Sequence, residues 1–242
     1  MNIRYSSLAA FALFSLATGA HAGFHFMQIE QVIGGVDGNN AAQAVQLRTR
    51  TSNQHNLSST RLVAWDANGA NPVLLFDFLS TYTPAAQGDD SILLTTSAFT
   101  LGMQTQTPSF ANDFTLTNAI PASYLSGGKI TFGNDTSTAF YWSLAFGAYL
   151  GANTGTTDND ADGNFGSPYA FGLPTSSREA VRFTGAFGAQ STTNAANYTL
   201  VASPATVRNA SGNSFTVVPE PGSAALLGAM ALGAFAFLRR RS

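Results

Sequence analysis

The stretch that decides the fold class is residues 45–51, which read Val45-Gln46-Leu47-Arg48-Thr49-Arg50-Thr51. Apolar or β-branched residues alternate there with Gln and Arg, and a period of two is typical of a half-buried β-strand. We therefore expect a strand whose arginines face water and whose Val45, Leu47 and Thr49 side chains face a core.

Short runs of similar character recur on both sides of this strand, each bounded by Gly, Pro, Asn or Asp. The predicted strands are 24–33, 61–65, 72–79, 92–101, 114–120, 129–132, 139–150, 181–187 and 198–201. The run 72–79 is more fully apolar, which favours a central place in a sheet. Residues 23–218 contain no sustained helical periodicity with caps, so the sequence predicts a single all-β sandwich.

Charge and cysteine content exclude several function classes. Only 10% of the 242 residues are charged, against about 25% in an ordinary globular domain. The chain has no Cys, which excludes disulfide scaffolds and thiolate sites. Because 11 basic residues face 13 acidic ones, there is no basic footprint for nucleic acid.

Residues 1–22 are typical of a secretory signal peptide. Arg4 supplies the positive charge, the run 8–16 is apolar, and Ala20 and Ala22 are the small residues expected before a cleavage site. The alternative is a short membrane anchor, but the apolar run is too short to cross a bilayer. We predict export through the Sec translocon and a mature chain that begins near Gly23.

The C-terminal segment combines three elements. Residues 217–221 end in a Pro-Glu-Pro motif, residues 222–238 form an apolar run of 17 residues, and an arginine cluster follows. A run of that length is at the lower limit for a transmembrane helix, and the positive-inside rule keeps the arginines in the cytoplasm. The residues concerned are Pro219, Glu220, Pro221, Arg239, Arg240 and Arg241.

This arrangement resembles the PEP-CTERM sorting signal of bacteria that make exopolysaccharide. The resemblance implies a transient anchor in the inner membrane, cleavage by the membrane protease exosortase, and delivery to the surface or matrix of a Gram-negative-type bacterium. The alternative is a plain tail anchor that is never cut. The predicted division is therefore 1–22 signal peptide, 23–213 sandwich domain and 214–242 sorting signal.

The body between the two ends has a second, looser resemblance, to the lamin-tail-like domains, which are Ig-like sandwiches. Matching stretches include 28–35, 44–47, 65–69, 140–143 and 197–206. The sequence departs from that family at Leu47, where an acidic residue is usual. If this resemblance holds, the fold is an Ig-like sandwich with one long Gly/Asn/Asp-rich loop over 151–180.

That loop contains a half-match to a calcium site. Asp158, Asp160 and Asp162 occupy alternate positions and Gly163 follows them, as in the first half of a Ca²⁺-binding loop. Tyr169 stands where the closing Glu belongs, so any Ca²⁺ affinity is expected to be weak. The alternative is an Asx-rich turn that needs no metal.

Aromatic residues lie in and beside the same loop, among them Tyr149, Phe165, Tyr169 and Phe171. They allow a sugar-stacking patch, but we favour core packing, because aromatic side chains are mostly buried. For the strand 139–150 this predicts Phe140 and Trp142 on the core face, with Tyr141 on the opposite face.

Catalytic residues are scarce. The body 23–218 has two His and two Glu, and it lacks His-Glu metal motifs, Gly-x-Ser-x-Gly and phosphate-binding loops. The body is also mildly acidic, with seven basic and 12 acidic residues, a net charge of −5. We expect a non-enzymatic surface protein with a structural or adhesive role in an exopolysaccharide matrix and no cofactor. The alternative is a carbohydrate hydrolase that uses Asp residues of the 151–180 loop.

Overall fold

The computed structural model describes residues 27–52, 54, 57–80, 90–152, 165–186, 188–189 and 192–218. Short strands dominate these residues. The strands are β1 (Met27–Ile33), β2 (Ala44–Thr49), β3 (Thr60–Trp65), β4 (Val73–Phe78), β5 (Ser91–Thr95), β6 (Phe114–Thr115), β7 (Gly127–Asn134), β8 (Phe140–Gly147), β9 (Ala180–Phe183), β10 (Tyr198–Val201), β11 (Thr206–Arg208) and β12 (Ser214–Thr216). The helices are α1 (Ser97–Gln106), α2 (Asn194–Asn197) and a 3₁₀ turn at Ala122–Tyr124.

Two sheets form the body. One has six strands in the order β10-β9-β1-β2-β5-β6, the other has four in the order β4-β3-β7-β8, and β11 and β12 form a separate hairpin. Neighbouring strands are antiparallel except β5 and β6. The main core lies between the two sheets. It takes Ile29 and Leu47 from the first sheet and Ile130, Phe132 and Trp142 from the second. The sandwich prediction is confirmed; the Ig-like topology stays a prediction.

A β-bulge in β1 keeps its apolar residues on the core side. Ile29 pairs with Leu47, but Gln31 pairs with Gln46, so one extra residue is inserted at Glu30. Ile29 and Val32 therefore both lie in the main core although three positions separate them.

The outer face of the six-stranded sheet is covered by other parts of the chain and is not exposed to solvent. The prediction that the arginines of residues 45–51 face water is wrong for Arg50, which follows β2 and is only 5% exposed; its guanidinium lies over the Trp142 ring and donates to the Ala189 carbonyl. On the outer face itself, Gln46 is only 4% exposed. A second apolar layer covers this face of the sheet, because α1 contributes Phe99 and Met103 and the β11–β12 hairpin contributes Val207 and Phe215. A period of two identifies the strand but not what covers its second face.

Helix α1 is a second correction, because the sequence predicts one strand over 92–101. The strand β5 ends at Thr95, and Thr96 then caps the helix, its side chain accepting a hydrogen bond from the Phe99 N–H. A Thr N-cap stabilises a helix start by satisfying one of its free N–H groups. Only Phe99 and Met103 of this helix are buried. Two buried positions are too few to produce a recognisable helical periodicity in the sequence.

The position of β4 is a third correction. The sequence predicts a central strand over 72–79, but β4 is an edge strand of the four-stranded sheet. The segment after β6 shields its backbone: the Thr117 N–H donates to the Leu75 carbonyl, and the Asn118 side chain donates to the Leu74 carbonyl. This cover allows an apolar strand to lie at a sheet edge. Of the predicted strand 114–120, only Phe114–Thr115 is extended in a sheet.

Within the described residues, no helix combines the length and the apolar character that a membrane crossing requires.

Candidate functional site

Most residues that the sequence singles out for function lie outside the described residues. This holds for His25 and His55, and for every predicted site residue: Ala20, Ala22, Asp158, Asp160, Asp162, Pro219, Glu220, Pro221, Arg239, Arg240 and Arg241. Their assignments stay predictions. Among the residues that the structure does describe, no three His, Cys, Asp or Glu side chains cluster as metal ligands would.

The aromatic residues of β8 are described, and Tyr141, Trp142 and Phe146 belong to the main core. Trp142 is fully buried in the main core, where its ring packs edge-on against Phe183 at 5.3 Å. The Arg50 guanidinium lies 4.9 Å from the centre of the same ring. Trp142 therefore stabilises the fold and presents no face to a ligand.

Phe140 does not share a face with Trp142, which corrects the prediction for this strand. Phe132 pairs with Trp142, but Gly133 pairs with Phe140, so Tyr141 is the extra residue of a bulge. Tyr141 joins Trp142 in the main core, while Phe140 packs edge-on against Trp65 with ring centres 5.7 Å apart.

Phe140 and Trp65 form part of an aromatic cage around Lys129 on β7. The Lys129 ammonium lies 5.3 Å from the Trp65 ring, 5.0 Å from Phe140, 5.7 Å from Tyr149 and 5.8 Å from Phe165. Lys129 is only 7% exposed. An ammonium among ring faces gains cation–π attraction, which offsets part of the lost hydration.

Burial in this cage lowers the pKa of Lys129 to about 8. Burial likewise raises the pKa of Tyr149, and the negative charge of Asp66 raises it further. The cage thus holds two groups with shifted pKa values. The Lys129 amine loses its proton more readily than an exposed lysine does, and the Tyr149 phenol keeps its proton to a higher pH than an exposed tyrosine does.

One feature of the sequence sets Lys129 apart, although the search for strand patterns takes no account of it. Lys129 is the single lysine of the chain, and all ten other basic residues are arginines. Its aromatic neighbours come from β3, from β8, from the residues just after β8 and from the segment after residue 164, so their convergence follows from the fold.

A second polar cluster lies under the β11–β12 hairpin, around the buried carboxylate of Glu30. Gln46 and Ser91 donate to one carboxylate oxygen, and Arg182 donates to the other at 3.3 Å. The Arg48 guanidinium approaches that second oxygen at 3.7 Å. The carboxylate is therefore fully engaged by hydrogen bonds and ion pairs, as a buried charge requires, and this arrangement serves the fold.

One aromatic ring of the long loop is open to solvent. Phe171 is 70% exposed, while its neighbour Tyr169 is buried and packs against it with ring centres 5.8 Å apart. The residues that follow Phe171 line a surface depression of about 440 Å³, within the usual range for small-ligand sites. Its lining includes Asn40, Ser126, Gly172 and Thr175.

The end of the described chain is part of the folded body. β12 pairs with β11, and the Val217 N–H then donates to the Ala205 carbonyl at 2.8 Å. Val217 is fully buried, and Val218 packs partly buried against the layer formed by α1 and the hairpin. The three residues after Val218 are Pro219-Glu220-Pro221, so the body continues into that motif without a spacer.

Comparison with known proteins bears on the C-terminal segment alone. No curated protein and no solved structure matches the chain. A family model, the PEP-CTERM protein-sorting motif, matches residues 217–242. The chain therefore carries a PEP-CTERM sorting motif, which implies export to the cell surface or the extracellular space by way of exosortase.

Proposed function

We propose that this chain is a non-enzymatic surface protein with a structural or adhesive role in an exopolysaccharide matrix. The proposal rests on one observation: the sorting motif follows the folded β-sandwich with no intervening segment. The buried residues of the sandwich extend to Val217, and the sorting motif is matched over residues 217–242. In this proposal the sandwich performs the function, and the motif only directs it to the cell surface.

The proposed route has two cleavages. The signal peptide 1–22 directs the chain to the Sec translocon and is removed after Ala22. Residues 222–238 then anchor the chain in the inner membrane of a Gram-negative-type cell, with the arginines in the cytoplasm. Exosortase cuts near Pro219-Glu220-Pro221 and releases the body.

Adhesion to polysaccharide is supported by Phe171 and the depression beside it. An exposed ring can stack on the apolar face of a sugar, while the Asn40 and Thr175 side chains at the depression suit sugar hydroxyls. The low charge of the chain, 10% of its residues, suits a neutral polymer rather than a charged one.

Sorting is tested by replacing Pro219-Glu220-Pro221 with three alanines in the native host. We expect an uncut precursor to accumulate in the membrane fraction. Unchanged release would contradict the proposed processing and indicate a plain anchor or another protease.

Adhesion is tested by a pull-down of the released chain with exopolysaccharide from the same host. Phe171→Ala should reduce the retained protein about tenfold if the ring is a main contact. Leu150→Ala is the matched control, because Leu150 is also exposed, at 81%, but carries no ring. Equal retention of both variants would argue against this patch, and shortening of the polymer would favour the hydrolase alternative.

A further inference from the structure

Helix α1 lies beside the chain's exit toward the sorting motif and presents an uncharged surface there. The nearest charges in the described part of the chain are the paired Asp37 and Arg178, since Asp37 follows Val36, which lines the same groove. Helix α1 reads Ser-Ala-Phe-Thr-Leu-Gly-Met-Gln-Thr-Gln and contains no charged residue. Ala98 and Gly102 of this helix line a shallow groove together with Val218. Leu101 lies on the same stripe, three positions from Ala98, and is 69% exposed. We call Ala98, Leu101, Gly102 and Val218 the α1 face.

The length of chain beyond Val218 fixes how far the α1 face can lie from the apolar run 222–238. Only four residue steps separate Val218 from Gly222. A fully extended chain covers at most about 14 Å in that distance. Val218 itself lines the groove, so the α1 face must lie next to whatever surface residues 222–238 enter.

Charge limits which part of the body can lie against a lipid surface. The body carries a net charge of −5 over residues 23–218, and anionic lipid headgroups repel an acidic protein. The α1 face is a part of this body that offers an exposed leucine and no charge to the membrane. Interfacial helices bind by burying such apolar groups at the boundary between headgroups and acyl chains.

We propose that the α1 face docks on the lipid headgroup surface while residues 222–238 anchor the uncut chain, with Leu101 as the inserted side chain. The inference rests on the proposed anchoring of the precursor. Docking would orient the sandwich so that its four-stranded sheet, on the far side of the six-stranded sheet from α1, faces away from the membrane.

The test uses the full chain reconstituted in phosphatidylcholine vesicles. Because the chain has no cysteine, Leu101→Cys gives one labelling site for a fluorophore. Leu150→Cys is the matched control: Leu150 is 81% exposed and follows β8 on the other sheet. Lipids that carry a nitroxide on the headgroup should quench the probe at 101 about threefold more strongly than the probe at 150. Adding anionic lipid should not increase this quenching.

The outcomes separate the docking proposal from the proposed anchoring. If the chain floats with the vesicles and the probe at 101 is quenched no more than the probe at 150, docking is wrong and anchoring stands. If the chain does not float with the vesicles, both are wrong. A quenching difference that shrinks as protein density rises at fixed lipid would assign the α1 face to a second copy of the chain, and would likewise overturn the proposal.

Discussion

The indole N–H of Trp142 donates a 2.6 Å hydrogen bond to the hydroxyl oxygen of Tyr198, and both groups are buried. The Tyr198 hydroxyl donates in turn to the Ile29 carbonyl at 2.6 Å. Trp142 lies on β8 of the four-stranded sheet, while Tyr198 and Ile29 lie on β10 and β1 of the six-stranded sheet. This chain of two hydrogen bonds therefore links the two sheets across the main core.

Removing the Tyr198 hydroxyl should lower the free energy of unfolding of the sandwich strongly. Tyr198→Phe leaves the Trp142 N–H and the Ile29 carbonyl buried without their partner, which costs roughly 2–4 kcal/mol for the two groups. The measurement is the free energy of unfolding from urea denaturation. Tyr124→Phe is the matched control, because the Tyr124 hydroxyl donates to the Asn71 carbonyl at an exposed site, and it should cost less than about 0.5 kcal/mol. Similar losses in the two variants would contradict the bridging role of Tyr198.

Six strands lie where the predicted runs lie, namely β1, β2, β3, β4, β7 and β10. These positions were predictable because apolar runs and the Gly, Pro, Asn or Asp residues that bound them are local properties. The elements that cover the two faces of a strand cannot be read from the sequence of that strand. The cover on the outer face of the six-stranded sheet depends on α1 and the β11–β12 hairpin. The burial of Arg50 depends on Trp142 and Ala189, and the shielded edge of β4 depends on residues 117–118. All of these are distant in sequence from the residues that they cover.

The site was less predictable than the fold. The PEP-CTERM motif was recognised from consecutive residues, and its match over 217–242 confirms it. The cage around Lys129 draws its rings from residues 65, 140, 149 and 165, and no spacing rule joins these positions. The bulge at Tyr141 also reversed the face predicted for Phe140, since one inserted residue changes the alternation.

Thr96 should contribute more to stability than an ordinary helix cap. Its hydroxyl oxygen accepts from the N–H groups of Phe99 and Gln43, and the hydroxyl donates to the Ala41 carbonyl at 2.6 Å. Thr96→Val keeps the shape and removes all three bonds, so we expect a loss of about 2 kcal/mol in chemical denaturation.

The control for this change is Thr105→Val on the same helix. The Thr105 hydroxyl donates only to the Leu101 carbonyl at an exposed position, and its loss should change stability by less than about 0.5 kcal/mol. If Thr96→Val behaves like Thr105→Val, the cap does not hold α1 against the sheet.

Calcium should stabilise the chain if Asp158, Asp160 and Asp162 form the predicted site. With a dissociation constant of about 0.1–1 mM, 10 mM Ca²⁺ adds roughly 1.4–2.7 kcal/mol to the free energy of unfolding. For a body of this size the melting temperature then rises by about 3–10 °C. Replacing all three Asp with Asn should abolish the rise. An unchanged melting temperature in Ca²⁺, or the same rise in the triple variant, would favour the Asx-rich turn.

Lys129 should make stability increase with pH in the mildly alkaline range. Burial lowers its folded-state pKa to about 8, while an unfolded lysine titrates near its ordinary value of about 10.4. Between these values the unfolded chain binds more protons than the folded chain, so the free energy of unfolding rises with pH. Stability relative to Lys129→Met should increase by about 2 kcal/mol from pH 7.5 to 9.5.

The comparison with Lys129→Met isolates this lysine, because every other titrating group is common to both proteins. The upper limit of pH 9.5 matters, since burial raises the pKa of Tyr141, Tyr149 and Tyr169. These phenols lose their protons earlier in the unfolded chain, so above this limit both proteins lose stability and the difference between them is measured on a smaller total. Parallel stability curves for the two proteins over this window would mean that the Lys129 ammonium keeps its ordinary pKa, and that water reaches it inside the ring cage.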